Sequence, residues 1–180
     1  DFMHIFFNMF ALVVFGAHLE RVWGPKRFLI FYFVTALGAA VLHMSVQAFE
    51  VYQMTGELFP DVYITEWRYV SDTMIEIHTD PPGKTKIGAF YLGTTVGASG
   101  AVYGLIAAFA LLFPNTRLML LFPPIPIKAK WLALGLAGFA LYQGYVNAAG
   151  DSVAHFAHLG GMLFGFILVK IWQKDGSTFY

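Results

Sequence analysis

The sequence contains no cysteine. That excludes disulfides, thiolate nucleophiles and cysteine-ligated zinc. Charge is scarce as well: Asp, Glu, Lys and Arg make up 12% of the 180 residues, where a soluble domain carries about 25%. The 11 basic and 11 acidic residues cancel, so no basic field invites nucleic acid. With 58% hydrophobic residues, so little charge cannot coat the surface of a single domain with solvated groups. The solvent that remains is lipid. A length of 180 residues fits one domain, spanning residues 1–180.

Runs free of Asp, Glu, Lys and Arg locate the membrane. They extend over Phe2 to Leu19, Phe28 to Phe49, Ile87 to Thr116, Trp131 to Gly150 and Ser152 to Val169. A spanning helix needs roughly 20 mainly apolar residues, so five spans are expected. The fold class is all-α, a polytopic membrane helix bundle. The third run must begin with loop, because Gly88, Gly93 and Gly97 crowd its start. The fourth is preceded by a turn, Pro123-Pro124-Ile125-Pro126, since proline stops a preceding segment. A soluble helix shows a polar face, whereas Phe28-Leu29-Ile30-Phe31-Tyr32-Phe33-Val34 has none. The first run lacks a basic n-region and carries His4 and Asn8 in its middle, so it does not read as a cleavable signal peptide.

Lys and Arg set the orientation. Arg21, Lys26, Arg27, Arg117, Lys128, Lys130, Lys170 and Lys174 fall on one side; Arg68, Lys84 and Lys86 fall on the other. The N-terminus and the connection between the second and third spans therefore face away from the cytoplasm. That connection, at about 50–93, is a long outward-facing loop. Its Phe59, Tyr63, Trp67 and Tyr69 suit a membrane surface, and Asp80-Pro81-Pro82-Gly83 reads as a turn.

Polar groups in hydrocarbon are costly and usually act or pair. His4 and Asn8 lie four apart on one face of the first span. The third span opens with Gly97-Ala98-Ser99-Gly100-Ala101-Val102-Tyr103-Gly104, and the fifth carries His155 and His158 before Gly160, Gly161 and Gly165. Gly100 with Gly104, and Gly161 with Gly165, form small-xxx-small pairs that let helices approach closely. Alone, such a pair denotes packing. Here close approach would bring the Ser99 hydroxyl within reach of a His158 ring nitrogen, the arrangement a serine nucleophile needs.

These residues resemble the rhomboid family of intramembrane serine proteases. Gly97-Ala98-Ser99-Gly100 matches its GxSG motif, with Tyr103 the aromatic residue one turn later. Ala157-His158 with Gly161 and Gly165 matches AHxxGxxxG, His4 with Asn8 matches HxxxN, and Glu20, Gly24 and Phe28 match ExxxGxxxF. The resemblance covers nearly the whole chain. It implies a Ser99–His158 dyad without an acidic third member. The Ser99 backbone N–H, His4 and Asn8 would hold the oxyanion. Tyr103 would stack beneath the His158 ring, Gly97 would leave room for substrate backbone, and Gly161 would support the close helix approach. It also implies a six-helix core, whose first helix is missing from this stretch.

The activity expected is endopeptidase cleavage of transmembrane protein substrates, within a lipid bilayer, most simply the cell membrane, from a cavity opening on the non-cytoplasmic side. No metal and no organic cofactor is implied. The alternative is a catalytically inactive rhomboid-like protein that binds or routes membrane proteins; such relatives typically lose the Ser or the His, and both stand here. A channel would want charged pathway residues. Other intramembrane proteases would want His-Glu-x-x-His or a second intramembrane Asp. Glu20 and Arg21 read as interfacial and His18 and His43 as paired with neighbours or water. Gln143 and Asn147 either line a cavity or cap a helix. His155 is a competing base that the glycine spacing disfavours, and Asp151 reads as solvated.

Overall fold

The computed structural model of the chain describes residues 2–56, 63–71, 74–80, 98–120, 124–146 and 152–174. Five helices form its body, one at each apolar run. They are α1 (Phe2–Trp23), α2 (Pro25–Thr55), α3 (Ala98–Leu112), α4 (Ala129–Val146) and α5 (Ser152–Lys174). Among the described residues, α1, α2 and α5 are long and apolar enough to cross a membrane. Their outward surfaces are greasy: Val13 is 68% exposed and Leu37 67%, a density of exposed hydrophobics that water would not tolerate.

α1 is not uniform. Its middle, Leu12–Gly16, is a π-helical turn between the α-helical stretches Phe2–Ala11 and Ala17–Trp23. The wider turn lets the consecutive residues Phe15 and Gly16 both face inward. Phe15 meets Phe109 edge-on at 5.2 Å. α1 and α2 are joined by Gly24 alone, at φ 77° and ψ 162°, a backbone state that a side chain rarely permits. Pro25 then starts α2, where its fixed φ suits a first turn.

α3 is the axial helix. It packs against α1, α2, α4 and α5, and every residue from Ser99 to Ala110 except the half-buried Tyr103 is buried. Its 15 residues rise roughly 22 Å at about 1.5 Å each, less than the ~30 Å hydrocarbon thickness. Where α1 ends, Trp23 packs on Phe31 at 4.8 Å and meets Trp172 edge-on at 5.3 Å.

The membrane body is all-α, and two small sheets occur in the connections. Strands β1 (Tyr63–Ser71) and β2 (Met74–Asp80) pair antiparallel, as do β3 (Arg117–Met119) and β4 (Pro126–Lys128). The first hairpin falls where a long loop is expected, and α2 also runs into that stretch. Charge and length mark the stretch as a loop, but its Tyr, Ile, Thr, Trp and Val residues are strand formers. The expected turn at Asp80-Pro81-Pro82-Gly83 extends beyond the described residues, as does the Pro-rich turn at Pro123.

Candidate active site

Two pairs of glycines set the distance between α3 and α5. A Cβ on Gly161 would collide with the Gly100 carbonyl, and one on Gly165 would stand 3.0 Å from the Gly104 carbonyl oxygen. α2 uses the same glycines from another side: Ala39 fills the space beside Gly100, and a Cβ on Gly104 would lie 2.8 Å from the Thr35 Cβ. Thr35 is fully buried. Its hydroxyl donates back to the Phe31 and Tyr32 carbonyls, each at 2.9 Å, so a polar side chain closes on its own helix and presents methyl to α3.

That approach brings the two expected partners together. His158 Nε2 lies 3.0 Å from Ser99 Oγ, so the hydroxyl donates to the ring when Nε2 is the unprotonated nitrogen. The His158 and Tyr103 rings are parallel within 2°, with centroids 4.1 Å apart. His158 Nδ1 is buried and has no hydrogen-bond partner among the described residues. Ser99 is 8% exposed. It sits in the first turn of α3, where backbone N–H groups lack intrahelical acceptors and can meet a developing anion.

A cavity of about 800 Å³ opens beside the dyad. Ser99, Tyr103 and His158 line it together with His4 and Asn8 of α1 and Leu132 and Leu136 of α4. Asn8 is 9% exposed. Its Nδ2 donates to the His4 carbonyl at 2.8 Å, which pins the amide and leaves a second N–H on the same nitrogen. Asn8 and His4 stand on the first turns of α1, Ser99 on the first turn of α3 and His158 on the second of α5, so all four occupy one end of the bundle. The arrangement joins a hydroxyl, an imidazole and candidate anion donors in one recess.

Other expectations divide. Gly97, Asn147 and Asp151 lie outside the described residues. Gln143 is half-buried on α4 and does not line this cavity. His155 does not bond Ser99; its ring meets His158 at 76° and 6.2 Å and Phe139 at 90° and 6.4 Å. His18 uses Nδ1 on the Val14 carbonyl at 3.2 Å, beside the π-helical turn, and meets Phe109 edge-on at 5.7 Å. His43 likewise has a partner. The Glu20 carbonyl accepts the Gly24 N–H at 2.7 Å, closing the turn between α1 and α2. Phe139 and Thr35 were not singled out from sequence. A lone Thr in a greasy helix signals the second of these; nothing in sequence pairs Phe139 with α5.

The Rhomboid domain family model matches residues 1–174. The chain is 29% identical over 172 residues to Rhomboid-like protein 16, chloroplastic, of Arabidopsis thaliana, covering 95% of this chain and 44% of that protein. It is 28% identical over 184 residues to Rhomboid protein 1, mitochondrial, of Saccharomyces cerevisiae, covering 97% and 40%. It is 26% identical over 172 residues to Rhomboid protease AarA of Providencia stuartii, covering 92% and 49%. The chain thus spans less than half the length of each of these relatives. No solved structure matches significantly.

Proposed function

The chain belongs to the rhomboid family and is an integral membrane protein, and from that premise we propose that it is a serine endopeptidase that cleaves transmembrane protein substrates within the bilayer. One observation carries the reading: a serine hydroxyl 3.0 Å from an imidazole that is itself stacked on Tyr103, beside a cavity large enough for a stretch of unwound peptide.

In this mechanism Ser99 Oγ attacks the scissile carbonyl while its proton passes to His158 Nε2. The negative charge that builds on the carbonyl oxygen faces the Ser99 backbone N–H, the His4 side chain and the second N–H of Asn8 Nδ2. Preorganised donors of this kind are worth about 2.7–4 kcal/mol each in the transition state. His158 then gives its proton to the leaving amine, and the C–N bond breaks to leave an ester on Ser99. Water, deprotonated by His158, attacks that ester; the carboxyl product departs as the proton returns to Ser99. The lipid-facing surface and the shortness of α3 favour substrates that are themselves membrane spans. A peptide bond inside a helix is shielded, so substrates with helix-breaking Gly or Pro near the cut are expected to be better. In this reading the cavity opens on the non-cytoplasmic side of the cell membrane, and the lysine and arginine pattern supports that side.

Reconstituting the chain with a single-span reporter tests this. Cleavage that Ser99→Ala and His158→Ala each abolish supports the dyad; full cleavage by either variant rules it out. A wild-type chain that binds the reporter without cutting it, and that a serine-directed phosphonate does not label, is an inactive binding protein instead.

A further inference from the structure

In a serine triad, a carboxylate bonded to Nδ1 holds the imidazole in place. His158 Nδ1 has no such partner among the described residues, where the Ser99 hydroxyl and ring contacts are what hold the imidazole. Tyr103 lies flat against one face of the ring. A flat stack fixes the plane of an imidazole but not its rotation or sliding within that plane, and such a movement would carry Nε2 away from Ser99. An edge-on neighbour blocks it. His155, one turn earlier on α5, meets the His158 ring steeply, with centroids 6.2 Å apart and planes at 76°. Behind His155 stands Phe139 of α4, perpendicular at 6.4 Å. Both spacings fall within the about 4.5–7 Å over which edge-to-face ring pairs attract. Phe139 is 56% exposed, so its ring is not wedged into the core for packing alone.

We infer that His155 is a positioning residue for His158, and that Phe139 is the strut behind it, so that the aim of the base depends on where α4 stands. The inference rests on the Ser99–His158 dyad proposed above. It assigns His155 no proton to carry: its role is that of a ring, and Phe139 acts only through it. Because α4 also contributes Leu132 and Leu136 to the cavity wall, the helix that borders the substrate space is the helix that braces the base.

The test uses the full chain, purified in detergent, and reads two things: the rate of Ser99 labelling by a fluorophosphonate, and kcat and KM for a transmembrane reporter. His155→Ala is expected to slow labelling and lower kcat by roughly two- to tenfold with KM unchanged, the size of effect one edge-to-face contact supplies. Phe139→Ala should do the same, and the double variant should be no slower than the slower single one. His155→Phe keeps an edge in place and should retain the wild-type rate. Tyr145→Ala, on the same helix and 90% exposed, should change nothing. Phe139 is largely outside the core, so its truncation leaves a folded protein to measure even if His155→Ala does not. Labelling of Phe139→Ala at the wild-type rate overturns the inference. So do additive losses in the double variant, or a His155→Phe protein as slow as His155→Ala. If wild type is not labelled at all, the dyad reading itself fails and takes this one with it; if wild type is labelled and the variants match it, only the strut is lost.

Discussion

Gly161→Ala adds one methyl group at the crossing of α3 and α5. The new Cβ would overlap the Gly100 carbonyl, a backbone group that no side-chain rotation can clear. Non-bonded heavy atoms settle near about 3.5 Å, so the two helices must part by on the order of 1 Å. The Ser99–His158 contact is 3.0 Å, and a hydrogen bond weakens quickly beyond about 3.2 Å. A displacement of about 1 Å in a catalytic group costs about 10²-fold in rate, or about 2.7 kcal/mol of transition-state stabilisation. Overpacking also costs about 1–3 kcal/mol of stability, so the measurement must be made per folded molecule. Active-site titration with a phosphonate, cleavage of a reporter and thermal unfolding of the same detergent preparation separate the two effects. Gly135→Ala is the control: nothing lies within 4 Å of the added Cβ, and the helix should gain about 0.5–1 kcal/mol with no change in turnover. A folded Gly161→Ala protein that is labelled and cleaves at the wild-type rate would refute the claim that glycine packing aims the dyad.

The remaining predictions are smaller in scale. Tyr103→Phe keeps the stacked ring and should cleave within about twofold of wild type, whereas Tyr103→Ala should lose roughly two- to tenfold in kcat; equal losses in both would make the hydroxyl, not the stack, the operative group. Asn8→Ala should lower kcat by about 10²–10³ with little change in KM, read from full saturation curves; a rise in KM alone would make Asn8 a binding group. Gly24→Ala forces a Cβ into φ 77° and ψ 162°, costing about 1–3 kcal/mol, and should lower the melting temperature while leaving turnover per folded molecule intact.

The Ser99–His158 contact was legible because helical periodicity fixes which residues share a face, and glycine at four-residue spacing says which face a neighbour touches. Ser99, Gly100 and Gly104 on one helix, and His158, Gly161 and Gly165 on another, are thereby a statement about contact as well as composition. The shortness of α3 was half legible: the glycines before Ala98 shorten the run, though its end at Leu112 needs the structure. The π-helical turn was not legible. Leu-Val-Val-Phe-Gly carries no mark that separates it from ordinary helix; the wider turn is preferred because both Phe15 and Gly16 have partners inward, Phe109 for one and Phe28 for the other. His18 was read as pairing with a neighbour, and its partner proves to be a carbonyl beside that turn. The hairpin was missed because strand-forming residues in a polar stretch were weighed as a membrane-surface loop. The ring series from Tyr103 to Phe139 crosses three helices, and periodicity within one helix cannot report which residue of a second meets a third.

The way the site is held follows from its solvent. A carboxylate that oriented the imidazole would need to be desolvated at a cost of several kcal/mol, recovered only with full pairing. Stacking and close backbone packing carry no such penalty. Gly100, Gly104, Gly161 and Gly165 remove side chains so that two backbones come close, and that closeness, not a charge, sets Ser99 opposite His158. Tyr103 then fixes the ring plane with a contact that burial strengthens. The elements of the site are therefore ones that a low dielectric tolerates: Asn8 bonds the His4 carbonyl, Ser99 bonds His158 Nε2, and Thr35 closes on its own helix.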